Sequence, residues 1–135
     1  MLNFSYPPEK VKDFKKIFNN GKKFKTSTSQ VIVLIEKNLE TKSKVSFGIL
    51  ALKKIVGKKA VCRNKAKRRY RNGLFSVLKT TALEDGFHIQ FIALTNKNTL
   101  NAPWEQVLSD IEKELHFMRG QIQNQIQKEG PHENS

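Results

Sequence analysis

The spacing of apolar residues changes several times along the chain, and each change marks an element. Val11, Phe14, Ile17 and Phe18 recur at helical spacing. They predict a short helix over residues 9–19, opened by Pro7 and Pro8 and stopped by Asn19-Asn20-Gly21. Residues 22–29 are basic and rich in Ser and Thr, a short strand or a loop. Residues 30–37 (QVIVLIEK) form a β-branched run that predicts a buried strand. A polar turn at 38–42 leads into residues 44–52 (KVSFGILAL), a second strand, and the two runs read as an antiparallel hairpin. From about Ala60 to Thr80 the period returns to helical, with Ala66, Tyr70, Leu74, Val77 and Leu78 on one stripe and Gly73 as an interior blemish. Glu84-Asp85-Gly86 is a turn signal, residues 87–94 (FHIQFIAL) predict a strand, and residues 95–102 read as a polar loop. Pro103 opens a last helix with Asn101 or Ala102 as its cap. Trp104, Val107, Leu108, Ile111, Leu115, Met118 and Ile122 carry its stripe, and Gly120 marks an end or a kink.

The order α, (β), β, β, α, β, α defines the fold class. It is an α/β (α+β) two-layer sandwich: a small, mostly antiparallel four-stranded sheet with about three helices. At 135 residues the chain is one domain by length, and there is no internal repeat or linker. The last residues, KEGPHENS, have nothing to bury and read as a disordered tail.

Charge changes this picture most. The net charge is +13, and residues 1–104 hold 22 Lys and Arg against 6 acids, while residues 105–135 hold 3 against 6. Within residues 53–71 (KKIVGKKAVCRNKAKRRYR) ten of nineteen residues are cationic. Between Glu40 and Glu84 there is no acid at all. A solvated helix face mixes signs, so a run of one sign implies a partner of the other. On a helical wheel Asn64, Lys67, Arg68 and Arg71 share one flank, Lys65 and Arg69 point further round, and Arg63 lies in the first turn. The partner is a nucleic acid, since Arg forks and Lys point charges suit phosphates, and Asn64 can read a base edge or a 2′-OH.

Other classes fall away. No stretch approaches ~20 apolar residues, and Met1 to Pro8 lacks the long apolar region of a signal peptide. Lone Cys62 suits a reducing compartment, and with three scattered His it gives no metal-ligand spacing. Adjacent Glu84 and Asp85 in a turn make a poor acid–base pair, so no catalytic residue is expected on this chain.

The segment Lys53-Lys54, Gly57, Ala60-Val61, Arg63-Asn64-Lys65, Lys67-Arg68 and Arg71 resembles the signature of the bacterial ribonuclease P protein family, the small basic subunit of the tRNA-processing ribozyme. FKKIFNNGKKF is similar to that family's first-helix segment. The likeness spans residues 9–119. Lys65 stands where the family has Arg, which keeps the charge and loses the bidentate fork. The loop from Lys54 to Arg63 is slightly longer than in many members, and Asn96 and Lys97 replace an expected Arg.

The resemblance implies a left-handed β-α-β crossover, against the general preference for the right-handed form. It implies an RNA-binding domain over 9–120, preceded by an extension at 1–8 and followed by a helix end and tail at 121–135. It implies two partners in a bacterial cytoplasm: the catalytic RNA, which requires Mg2+ and performs hydrolysis, and precursor tRNA. Arg63, Asn64, Lys65, Lys67, Arg68 and Arg71 would bind the RNA subunit. Phe14, Phe18, Ile32 (or its neighbours Val31 and Val33), Lys53, Lys54 and Asn64 would bind the single-stranded 5′ leader, with Phe14 and Phe18, which the helical pattern alone reads as core packing, serving as part packing and part stacking platform. No membrane, small-molecule substrate or protein-bound cofactor is expected. The alternative is a non-catalytic ribosomal-type or general RNA-binding protein.

Overall fold

A computed structural model describes residues 4–38 and 42–133, the last six of these by backbone alone. The elements are β1 (Glu9–Lys10), α1 (Phe14–Asn20), β2 (Lys22–Lys25), β3 (Ser29–Lys37), β4 (Lys44–Leu50), α2 (Lys53–Val56), α3 (Ala60–Leu78), β5 (Phe87–Thr95), α4 (Lys97–Asn101) and α5 (Trp104–Glu133).

The sheet has five strands in the order β1-β4-β5-β3-β2. β3 and β4 therefore do not form the expected hairpin. β5 lies between them, antiparallel to β3 through pairs such as Val33–Phe91 and parallel to β4 through pairs such as Phe47–Phe91. The reason is in the side chains of β5. Ile89, Phe91 and Ala93 are buried on one face and Ile92 on the other. A strand apolar on both faces belongs at the centre of a sheet. With β1 parallel to β4 and β2 antiparallel to β3, the sheet is mixed rather than mostly antiparallel.

One face carries the main core. Val31, Val33 and Ile35 of β3 and Ile89, Phe91 and Ala93 of β5 pack against Tyr70, Leu74 and Leu78 of α3 and Ile111, Leu115 and Met118 of α5. All five stripe residues expected on α3 are buried. Gly73 has a use: a Cβ there would stand 2.7 Å from Ile111 Cδ1, so glycine lets α3 and α5 approach closely. On the opposite face the short α1 lays Ile17 on Ile32 and Ile92, a partial third layer.

Several boundaries move. The first helix begins at Phe14, not residue 9, because the Asp13 side chain accepts from the Lys16 N–H and caps it. Glu9 and Lys10 instead pair with the sheet edge, and Val11 N–H donates to Phe47 O. Residues 4–8, expected to precede the domain, belong to it: Phe4 is buried in the core. The expected loop at 95–102 contains α4, closed by a capping box between Asn96 and Thr99. Ala102 ends α4, and Pro103 O accepts the first backbone bonds of α5 from Gln106 and Val107, so neither Asn101 nor Ala102 caps the last helix. α5 passes through Gly120 and runs to Glu133, over most of the segment read as a tail. Residues 39–41 of the expected turn and 134–135 of the tail lie outside the described residues.

Candidate nucleic-acid interface

The basic helix α3 has two flanks with different fates. Its inner flank is built into the protein. Arg69 donates to the carbonyl oxygens of Thr99 at 2.9 Å, Leu100 at 2.6 Å and Ala102 at 3.0 Å, and its guanidinium lies 5.7 Å from the Trp104 ring centroid. It thereby satisfies the C-terminal carbonyls of α4, which have no partner within their own helix. Beside it Tyr70 donates to Glu114 of α5 at 2.7 Å. Glu114 also accepts from Ser29 and Thr26. Burial pushes its carboxyl up to about 7, against the pull of the Ser29, Tyr70 and Thr26 hydroxyls. One turn earlier on α5, Asp110 accepts from Ser27, Thr28 and Gln106. Burial alone would raise it, but these hydrogen bonds together hold it below the usual range. The Ser/Thr loop before β3 is thus clamped to α5.

The outer flank carries Asn64, Lys65, Arg68 and Arg71, all exposed, and half-buried Lys67. The ion pairs Lys16–Glu36 and Lys113–Asp110 do not touch residues 53–71. Arg63 is partly committed: its Nη1 donates to Gly57 O at 3.0 Å and Lys58 O at 2.6 Å, closing the corner between α2 and α3.

Lys67 and Arg71, one turn apart, reach a cleft of about 230 Å³ at the β1–β4 edge. Phe14 of α1, Lys10 and Gly48 line it with them. The Phe14 ring lies directly over Gly48, where a Cβ would come within 2.7 Å of it. A glycine inside an apolar strand is the sequence signal for such an approach, although the periodicity of β4 does not say what approaches. Phe18, one turn along α1, is 41% exposed.

Three expected leader contacts lie outside this cleft. Ile32 is only 2% exposed, buried with Ile17 and Ile92, so it supports α1 rather than lining open surface. Val31 and Val33 point into the other core. Lys53 and Lys54 are not at a strand end but on the one-turn α2, where with Lys58 they line a separate hollow of about 310 Å³. The cleft thus joins Phe14 to Lys67 and Arg71 and omits Lys53, Lys54 and Ile32.

A mixed sheet backed by α3 and α5, with a cationic helix flank opening on an aromatic cleft, defines a small basic RNA-binding domain. Residues 9–119 match the family model described as Ribonuclease P, so the chain belongs to the ribonuclease P protein family, whose members are subunits of the tRNA-processing enzyme. It is 30% identical over 104 residues to a ribonuclease P protein component from Picosynechococcus, covering 77% of this chain and 82% of that protein. The RNase P protein of Thermotoga maritima superposes with a TM-score of 0.52 at 28% identity, covering 82% of this chain and 96% of that one. The Staphylococcus aureus RNase P protein shares the fold, with a TM-score of 0.60 at 21% identity and coverage of 84% and 97%.

Proposed function

We propose that this chain binds the catalytic RNA of ribonuclease P through the outer flank of α3 and holds the 5′ leader of precursor tRNA in the cleft beside α1. The observation that carries the proposal is the convergence of Phe14, Lys67 and Arg71 on one cleft. A flat ring for a base beside cations for its phosphates is how single strands are bound without strict sequence preference. Arg63, Asn64, Lys65 and Arg68 face the RNA subunit, with Asn64 and Arg68 nearest the leader, and Phe18 extends the platform. Lys53 and Lys54 hold RNA from the neighbouring corner.

The RNA subunit performs the hydrolysis and holds the magnesium ions, and the protein alone is inactive. No described helix is long and apolar enough to cross a membrane, and we place the holoenzyme in the bacterial cytoplasm. Reconstitution tests this reading. Added to a bacterial RNase P RNA, the protein should lower the magnesium concentration needed to process a precursor tRNA, and more so for a precursor with a leader than for one without. Authentic 5′ processing by the protein alone, or an unchanged magnesium requirement, would overturn it.

A further inference from the structure

Three large apolar side chains stand exposed within ten residues: Leu52 at 44%, Ile55 at 41% and Val61 at 72%. Among the described residues the other exposed large apolar side chains, Tyr6, Phe18, Trp104 and Ile126, are scattered over the chain. Single exposed apolar residues need no explanation, but these three fall at one corner of the chain, Leu52 just before α2, Ile55 within it and Val61 in the first turn of α3. The proposed contacts of α3 and the α1 cleft leave this cluster unused.

The corner that carries it is fixed. Gly57 takes a φ of +133°, a conformation that side chains disfavour, and ends the single turn of α2. Arg63 bonds the carbonyl oxygens of both Gly57 and Lys58, and Val56 is buried beneath. A corner held this way presents its apolar side chains before any partner arrives, which reduces the ordering cost of binding.

Charge selects the partner. Lys53, Lys54 and Lys58 line the adjacent hollow, and the corner lies in the acid-free stretch of the sequence. A partner fitted to this surface is therefore anionic and also offers apolar faces. A regular RNA helix presents mainly phosphates and sugar hydroxyls. Unpaired bases in a loop or bulge present flat π faces beside their own phosphates. An anionic membrane would need a continuous apolar helix face, and α2 is four residues long. We propose that the α2–α3 corner docks unpaired nucleobases of the structured RNA partner, with Leu52, Ile55 and Val61 against base faces and the three lysines on neighbouring phosphates. This rests on the RNA-subunit reading above.

The test uses the full chain, a bacterial RNase P RNA, and the variants Ile55→Ser, Val61→Thr and Lys53→Ala. Val61→Thr keeps the side-chain shape at a position 72% exposed, so it remains informative should Ile55→Ser impair folding. Burial of apolar side chain against bases predicts an affinity loss of roughly 5- to 10-fold for Ile55→Ser and a smaller one for Val61→Thr, both with an unchanged salt slope. Lys53→Ala should lower that slope by about one. Unpaired bases shielded from chemical modification by the wild type should become reactive with the apolar variants. Apolar variants that bind like the wild type overturn the proposal. So do variants that lose only binding to phosphatidylglycerol vesicles, or only self-association. Failure of the wild type to bind the RNA overturns the subunit reading as well, whereas wild-type binding with indifferent apolar variants overturns this inference alone.

Discussion

Arg68 and Arg69 are adjacent in sequence, identical in chemistry and on the same helix, yet their partners differ completely. Arg69 ends on three carbonyl oxygens of the protein and the face of Trp104, while Arg68 is exposed. Helical phase separates them: a step of 100° turns one guanidinium toward α4 and the other to solvent. The density of positive charge therefore overstates the RNA-binding surface. Two of the ten cations in residues 53–71, Arg63 and Arg69, hold protein carbonyls, and the inner flank orients the outer one. Substitutions on the inner flank should change stability first, and those on the outer flank RNA affinity alone.

The largest expected effect concerns Glu114, which receives the Tyr70 hydroxyl from α3. Its carboxyl is held at about 7 in the folded protein against an ordinary 4.5. The folded state keeps this proton where the unfolded chain has lost it. Its contribution is complete below pH 4.5 and is lost as the pH rises through 7. A shift of this size corresponds to at most about 3 kcal/mol. Urea unfolding between pH 5 and 8 should show stability falling with pH, and Glu114→Gln should flatten that fall. Asp110 works in the opposite sense, since its carboxyl is held low. Its contribution is present above its ordinary 3.8 and lost on further acidification, outside this window. Burial holds the His88 imidazole below its ordinary range, and this pulls the other way inside the window, so the difference between the two proteins decides: a Glu114→Gln profile parallel to the wild type would remove Glu114 from the account of the inner flank.

Next in size is Arg69→Ala. Removing three charge-assisted bonds and the contact with Trp104 should cost about 2 kcal/mol and lower the Tm by several degrees. The protein that remains folded should bind RNase P RNA nearly as well as the wild type. A large loss of affinity at unchanged Tm would mean that Arg69 faces RNA, and the contrast between the flanks would collapse.

Neither fate of these arginines was fully legible in the sequence. The stripe from Ala66 to Leu78 was, because helical periodicity is local. The wheel also turned Arg69 away from Arg68, but the carbonyls it reaches are thirty and more residues downstream, in an element that read as a loop. β5 at the sheet centre was hidden for the same reason. β3 and β4 are consecutive apolar runs joined by a polar turn, and their local pattern favours a hairpin. Only the apolar character of β5 on both faces argues otherwise, and strand order is a non-local property. The cleft was half visible: Phe14 and the α3 cations were readable, while Gly48 was an unexplained glycine and Ile32 was assigned to the surface it supports from beneath.

The cleft beside α1 and the outer flank of α3 yield smaller, more specific effects. Phe14→Leu keeps apolar bulk over Gly48 and removes the flat π face. It should reduce the affinity gained from a 5′ leader by roughly 10-fold while leaving binding to the RNA subunit alone unchanged. A Tm drop with no leader-dependent change would make Phe14 a packing residue.

Arg68→Ala is the finest probe of the comparison, because it differs from Arg69→Ala by one position. Exposed, and with no hydrogen bond or ion pair to another side chain among the described residues, it should leave the Tm where it is. A lost phosphate contact removes about one counterion from the binding equilibrium, so the slope of log affinity against log salt should fall by about one. Affinity for the RNA subunit should drop about 3- to 5-fold near physiological salt, and the deficit should shrink as salt is raised. A base-edge contact behaves differently, costing affinity without changing the slope. The salt slope of this one variant therefore decides whether Arg68 supplies charge or reads sequence, and a variant that binds normally at every salt concentration would leave Arg63, Lys65, Lys67 and Arg71 as the cations of the α3 interface.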